Sequence, residues 1–185
     1  LPDGEIQIRA IRPDDKLTGL SLGDPALTPL KTFLQKHAKN YEAHSLARTY
    51  GVFLTGGAAQ KIVGYMTLVC GEVVVGDEDA ALIDDIEFRY RQYPAIKIAR
   101  LATDKSLQGR GLGRQLIDLA VGIARSVVGE RVGCRFVVVD SKKNSVGFYE
   151  RCGFTILDTE ENRSRSEPIM FVDLHKLNGG EISAI

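Results

Sequence analysis

The run Arg100-Leu-Ala-Thr-Asp-Lys-Ser-Leu-Gln-Gly-Arg-Gly-Leu-Gly-Arg114 constrains this chain more than any other. An apolar, strand-like stretch from Ile96 to Thr103 leads into a glycine-rich turn, and the turn opens a helix. Gly109, Gly111 and Gly113 let the backbone come close to a ligand and bare consecutive N–H groups. The helix beyond adds its unsatisfied N-terminal donors and the positive end of its dipole. Arg110 and Arg114 add full positive charge. Strand, turn and helix in this order predict an α/β chain with a site for a phosphate-bearing cofactor.

Spacing narrows the choice of cofactor. A Walker loop needs Gly-Lys-Ser/Thr to close the turn, and this turn has none. A dinucleotide fingerprint also fails. Counted from Gly109 its last glycine falls on Arg114, and counted from Gly111 it falls on Leu116. Asp140, at the end of the next apolar strand, occupies the place of a ribose-binding acid but has no fingerprint to serve. What fits is Gln-x-x-Gly-x-Gly, from Gln108 to Gly113. That pattern resembles the pyrophosphate-binding loop of the GNAT superfamily of acetyl-CoA-dependent N-acetyltransferases. An ordinary strand–turn–helix joint is the alternative for six residues taken alone.

Residues 145–154, Ser-Val-Gly-Phe-Tyr-Glu-Arg-Cys-Gly-Phe, carry the second half of the resemblance. Phe148-Tyr149 followed by Gly153-Phe154 is similar to the helix and turn after the fifth strand of that superfamily. Read from the residues, Ser141 or Asn144 is expected to cap a short helix, with Gly153 closing it in a left-handed conformation. The resemblance implies that Tyr149 gives its phenolic proton to the departing CoA thiolate. A tyrosine packed by its ring, with its hydroxyl in water, is the competing explanation. The family's asparagine seven residues earlier is replaced by Lys142, so contacts carried by it do not transfer.

The resemblance also sets expectations for the whole chain. Residues 1–185 form one domain, α/β, with a single mixed and mostly antiparallel sheet of six to seven strands flanked by helices. The sheet is splayed where acetyl-CoA, the acetyl donor, binds. The pantetheine arm pairs with the backbone of Leu101, Ala102 and Thr103, which also offers an N–H to the tetrahedral oxyanion. Gln108, Gly109, Arg110, Gly111, Leu112, Gly113 and Arg114 hold the pyrophosphate.

Periodicity supplies the elements. Ile6, Ile8 and Ala10 alternate with Gln7 and Arg9 as a first strand. Leu30, Phe33, Leu34, His37, Ala38 and Tyr41 recur at helical spacing from Pro29 onward, a stripe expected to be core packing. Arg48–Leu54 and Ile62–Val75 read as strands joined at Thr55-Gly56-Gly57. A helix from Gly113 to Val127, a strand at Phe136–Val139, a helix at 145–151 and strands at Thr155–Leu157 and Ile169–Leu174 complete the order. The polar stretch 158–168 is expected to be a mobile loop.

At 185 residues the chain can bury a sizeable core. No apolar run is long enough to span a membrane, and the start lacks a signal-peptide pattern. Leu1 in place of Met points to a trimmed or processed start. Cys70, Cys134 and Cys152 form no Cys-x-x-Cys pair and are expected as buried free thiols in a reducing cytoplasm. His37, His44 and His175 have no metal-ligand grouping, so surface or packing roles are expected and no metal site.

Formal net charge is zero but unevenly spread along the chain. From Glu72 to Glu87 there are seven acids and no bases, and from Arg89 to Arg114 seven bases against Asp104 alone. The basic block suits the phosphates of CoA, and the acidic block is expected to be a solvated loop, with attraction of a cationic substrate as the alternative. For acetyl transfer a neutral amine must sit against the thioester carbon. The strand at 96–103 has no carboxylate to serve as base, which leaves Asp85 and Glu87 acting through water. Weak base assistance favours an α-amine. With a pKa near 8 it is about 10% neutral at pH 7, against about 0.04% for lysine.

Residues 30–54 and the run Ile98-Ala-Arg-Leu-Ala-Thr-Asp104 also resemble the toxin branch of the superfamily. Those toxins acetylate the α-amine of aminoacyl-tRNA and are restrained by a small antitoxin protein. Phosphate contacts dominate tRNA affinity, and a neutral chain with an acidic segment fits that partner poorly. The sequence therefore favours a small-molecule or peptide amine as acceptor, with aminoacyl-tRNA as the alternative. A non-catalytic acetyl-CoA-binding regulator is a further one. Relatives commonly form homodimers.

Overall fold

A computed structural model of the chain describes residues 5–56, 60–74 and 92–177. The strands are β1 (Glu5–Ala10), β2 (Arg48–Thr55), β3 (Lys61–Val74), β4 (Gln92–Thr103), β5 (Phe136–Asp140), β6 (Thr155–Ile156) and β7 (Ile169–Asp173). The helices are α1 (Thr28–Lys36), α2 (Ala38–Ala43), α3 (Leu112–Ile123), α4 (Val146–Arg151) and α5 (Glu160–Ser164). The seven strands make one mixed sheet in the order β1-β2-β3-β4-β5-β7-β6. The expected α/β architecture is therefore present. By its contacts the chain divides into two compact units. Unit 1 comprises residues 1–69 and 99–116, and unit 2 residues 70–98 and 117–185.

Unit 1 is built on the antiparallel β1–β2–β3 meander. Its ladder slips between Val52 and Phe53, which pair with Gly64 and Ile62 and leave Val63 as the extra residue of a bulge. The Val63 carbonyl accepts the N–H of Asp104 at 2.8 Å, tying the bulge to the end of β4. Phe33, Leu34 and Ala38 pack with Leu20, Phe53, Ile62, Tyr65 and Ala102. The apolar stripe expected as one helix is thus in the core, but it bends. His37 leaves helical geometry at φ −121° and separates α1 from α2. Both helices keep their i to i−4 bonds across the break, His37 to Phe33 at 2.8 Å and Tyr41 to His37 at 2.9 Å.

In unit 2, β5 pairs in parallel with Ala95–Lys97 of β4 and antiparallel with β7. Phe136 and Val138 bury with Val73, Ala95 and Leu157, and Tyr93 and Phe171 flank Phe136 edge-on. A two-point ion pair from Arg135 to Asp173, at 2.8 and 2.7 Å, locks the start of β5 to the end of β7.

Two expectations need correction here. Residues 158–168 are not a loop throughout, because Thr159 caps α5 by accepting the Asn162 N–H at 3.1 Å. Asn162 is buried. Its amide donates to the carbonyls of Leu157 and Ile169 and accepts the N–H of Ile169, which staples the approaches to β6 and β7. One polar side chain thus orders a stretch that hydropathy marks as solvated. The helix after β5 is also capped differently from expectation. The Ser141 hydroxyl turns to the Lys142 carbonyl, and neither Ser141 nor Asn144 caps α4. A 3-10 turn, Lys143–Ser145, leads into α4 instead.

Candidate functional site

Everything expected to hold the cofactor, Leu101 through Arg114, lies in unit 1. Ala102 is buried, and Leu101 and Thr103 are half-buried on the last turn of β4 before the loop. Asp104 then anchors the strand–loop joint. Its carboxylate accepts the N–H of Ser21 at 2.9 Å, the N–H of Ser106 at 3.1 Å and the Ser106 hydroxyl at 2.7 Å. Burial pushes this carboxyl upward, but those donors and the charge of Lys61 outweigh it and hold Asp104 below the usual carboxylate range. Sequence reasoning missed Asp104 as a fixing point. The Asp-x-Ser signal of a side-chain-capped turn was there to find it.

Beyond the joint, Gly109 and Gly111 take left-handed φ of 75° and 83°, and a Cβ added at either would meet nothing within 4 Å. Both glycines are therefore required by backbone conformation rather than by crowding from the protein. Gly113 lies in the first turn of α3, where N–H groups have no carbonyl ahead of them within the helix. Gln108, Gly109, Arg110, Gly111 and Arg114 are exposed, while Leu112 is buried and moors the helix start. The loop thus presents backbone donors and two cations to solvent from a fixed base. That is the arrangement an anionic group needs.

Tyr149 belongs to unit 2. The sequence Tyr149-x-x-x-Gly153-Phe154 turns out to be a helix-ending motif. Gly153 sits at φ 89°, its N–H bonds the Glu150 carbonyl at 2.9 Å, and the Phe154 N–H bonds the Tyr149 carbonyl at 3.0 Å. The Phe154 ring meets the Tyr149 ring edge-on at 5.4 Å, and Phe148 flanks it at 5.1 Å. The tyrosine ring is buried, yet its hydroxyl makes no hydrogen bond among the described residues, and none of them holds a buried side-chain polar atom without a partner. The hydroxyl therefore reaches solvent. Burial first, with Cys152 adding to it, pushes its pKa up to about 12, so the phenol carries its proton at neutral pH.

Several other expectations find their places. Asp140 is engaged by Lys97 of β4 at 2.5 Å, which accounts for a carboxylate in that position without a ribose. Cys134 and Cys152 are partly buried and Cys70 is exposed, so the expectation of three buried thiols is corrected, although none of the three forms a disulfide. Among the described residues no cluster could hold a metal ion, and no helix is long and apolar enough to cross a membrane. Asp85, Glu87 and most of the acidic run lie outside the described residues.

One feature went unread in the sequence. Phe33, His37 and Tyr41, taken as core stripe, also line a cleft of about 520 Å³ together with Thr28, Pro29, Thr32 and Arg100. The Arg100 guanidinium lies 3.7 Å from the centre of the Phe33 ring, and Tyr41 meets the same ring edge-on at 5.3 Å. Beneath them Tyr65 donates to the Leu30 carbonyl at 2.7 Å. The signal was divided between a helix and a distant strand, so spacing could not reveal it.

The fold also sorts charge. Unit 1 holds twelve lysines and arginines against seven acids, a net +5, while unit 2 holds twelve against seventeen, a net −5. A chain of zero net charge is thus a basic unit, carrying the glycine loop and the cleft, joined to an acidic one.

A glycine loop at a helix N-terminus, set beyond a long strand of a mixed seven-stranded sheet, defines a class of α/β protein that binds a phosphate-bearing cofactor. The comparisons narrow the class. The acetyltransferase (GNAT) domain matches residues 53–156, and the chain belongs to that family. It is an acetyl-CoA-dependent N-acetyltransferase. A curated relative, a tRNA-acetylating toxin of Mycobacterium tuberculosis, is 29% identical over 153 residues, which cover 82% of this chain and 86% of the toxin. The structure of AtaT complexed with acetyl-methionyl-tRNAfMet superposes with a TM-score of 0.75 at 22% identity, covering 92% of this chain and 96% of AtaT. A tyrosine-to-phenylalanine mutant of the AtaT toxin, bound to the C-terminus of the antitoxin AtaR and acetyl-CoA, superposes with a TM-score of 0.69 at 23% identity, covering 92% and 94%. At those identities the two structures establish the fold.

Proposed function

We propose that this chain transfers the acetyl group of acetyl-CoA to the α-amine of aminoacyl-tRNA. The carrying observation is the net +5 of the unit that holds the glycine loop. The preference for a small or peptide amine rested on zero net charge and on the acidic segment. Segregation of charge removes the first ground, and the second lies mostly outside the described residues. The tRNA-acetylating relative favours the same acceptor.

The residues divide the work as follows. N–H groups of Gly109 to Arg114, with the Arg110 and Arg114 cations, hold the donor's pyrophosphate. Gln108 sets the entry to the loop. The backbone of Leu101, Ala102 and Thr103 pairs with the pantetheine arm and directs an N–H at the oxyanion as the amine nitrogen attacks the thioester carbon. The C–S bond then breaks, the nitrogen loses a proton to solvent, and Tyr149 hydrogen-bonds the departing sulfur and supplies its proton, which the phenol regains from solvent. A phenol at about pKa 12 is a weak acid beside a thiol near 8.5, so its main contribution is stabilising the developing thiolate. On this reading the enzyme works in the cytoplasm, where charged tRNA is found, and a small antitoxin protein restrains it.

The test is transfer of radiolabelled acetyl from acetyl-CoA to total charged tRNA, beside the same tRNA deacylated. Label with charged tRNA alone, lost in Tyr149→Phe, is the expected result. Label absent from charged tRNA, with thiol still released on free amines, refutes the tRNA acceptor.

A further inference from the structure

The cleft on unit 1 has the chemistry of a nucleotide site. Its floor is the Phe33 ring, with Arg100 laid flat on it at 3.7 Å and the rings of Tyr41 and His37 beside it at 5.3 and 6.4 Å. Arg100 makes no ion pair among the described residues, so its N–H edge is not committed to a carboxylate. A guanidinium held flat on an aromatic ring is a preorganised fork for phosphate, and neighbouring rings accept a base face by stacking. Thr28 and Thr32 add hydroxyls on the helical wall. Among the described residues that line it there is no Asp or Glu, so they leave Arg100 without a carboxylate to offset its repulsion of an acceptor rich in ammonium groups.

Position agrees with chemistry. Arg100 and Ala102 are two residues apart on β4, on the same face, with Cα atoms about 7 Å apart. Both contact the Phe33 side of unit 1, since Ala102 is buried in the same cluster as Phe33. A group seated in the cleft is therefore one strand step from the backbone to which the thioester is assigned.

We propose that this cleft receives the 3′-terminal nucleotide of the acceptor, with Arg100 pairing its phosphate and the His37 and Tyr41 rings flanking its base. The proposal rests on the tRNA reading for its biological ligand, but nucleotide binding can be measured without catalysis. The trinucleotide CCA is titrated into the full chain labelled at its histidine rings. His37 signals move, while those of His44 and His175 stay and serve as internal references. Adenosine, which has no phosphate, binds at least tenfold more weakly. Arg100→Gln abolishes the His37 shift and raises KM for charged tRNA tenfold or more with kcat changed much less. Arg100→Lys, which keeps charge but loses the fork, recovers only part of the affinity. Thr32→Glu brings a negative charge to the cleft without touching the stack, and it reproduces the loss at an unchanged melting temperature.

Movement of His37 with no acetylation of charged tRNA by the wild type would sink the tRNA reading and leave the nucleotide site standing. Acetylation by the wild type with His37 unmoved by CCA and KM unchanged in Arg100→Gln would overturn the site and leave the tRNA reading standing.

Discussion

Gly111 allows the cofactor loop to be tested with stability and binding read separately. Its φ of 83° and the empty space around a built Cβ mean that a side chain there strains the backbone without clashing with the protein. Gly111→Ala should cost roughly 1–2 kcal/mol from the left-handed conformation. For a chain of this length that lowers the melting temperature by about 2–8 °C. Asp tolerates the left-handed region better than Ala, so Gly111→Asp should be the more stable of the two variants. Binding should follow the opposite order. A carboxylate about 5 Å from two phosphate charges is repelled by roughly 1.7 kcal/mol at a water-like dielectric and about 6.6 kcal/mol at an effective value of 20. Acetyl-CoA affinity should therefore fall at least about fifteenfold in the Asp variant. Gly122→Ala is the control. Its Cβ also meets nothing within 4 Å, but Gly122 lies inside α3, so alanine should raise the melting temperature by about 2–4 °C. Differential scanning fluorimetry and titration calorimetry on the three variants and the wild type give every number. If Gly111→Asp keeps acetyl-CoA affinity within threefold while Gly111→Ala melts early, the pyrophosphate is not on this loop.

Tyr149→Phe should slow turnover about a hundredfold or more with acetyl-CoA affinity nearly unchanged, since the ring packing survives and only the proton donor is lost. Unaltered turnover would reduce the tyrosine to packing. The wild-type rate should climb with pH as the α-amine deprotonates near 8, without an opposing fall from the phenol until about pH 12. Because folding raises the Tyr149 pKa, the associated stability is complete below pH 10 and lost as pH rises toward 12. That is roughly 2–3 kcal/mol, absent from the Phe variant in alkaline urea titrations. Asn162→Ala removes three hydrogen bonds from a buried site and should destabilise by roughly 2–4 kcal/mol in urea melts; a loss under 0.5 kcal/mol would mean that α5 does not depend on the staple.

The features of the candidate site that a sequence shows most directly are those whose reasons are local. Gly109, Gly111 and Gly153 are glycines because the backbone at each turns left-handed, a demand visible in the residue itself and in the helix next to it. Tyr149 and Phe154 are five apart because the closing turn of α4 brings those two positions together. The cleft was missed for the opposite reason. Phe33, His37 and Tyr41 share a helical spacing that core packing explains equally well, and nothing in that spacing refers to Arg100, far along the chain. Asn162 was missed because hydropathy counts a polar residue as exposed, whereas its amide is buried and satisfied by three backbone groups.

Charge divides along the same line. The sequence by itself determined the α/β class, the glycine turn that opens a helix after β4 and the helix-closing motif at Tyr149–Phe154, since each depends on contacts a few residues apart. The segregation of a zero net charge into a basic unit and an acidic one was decided only by tertiary structure. Electrostatic potential depends on distance in space, and folding gathers residues 1–69 with 99–116 into a basic unit whose charge the linear sum conceals.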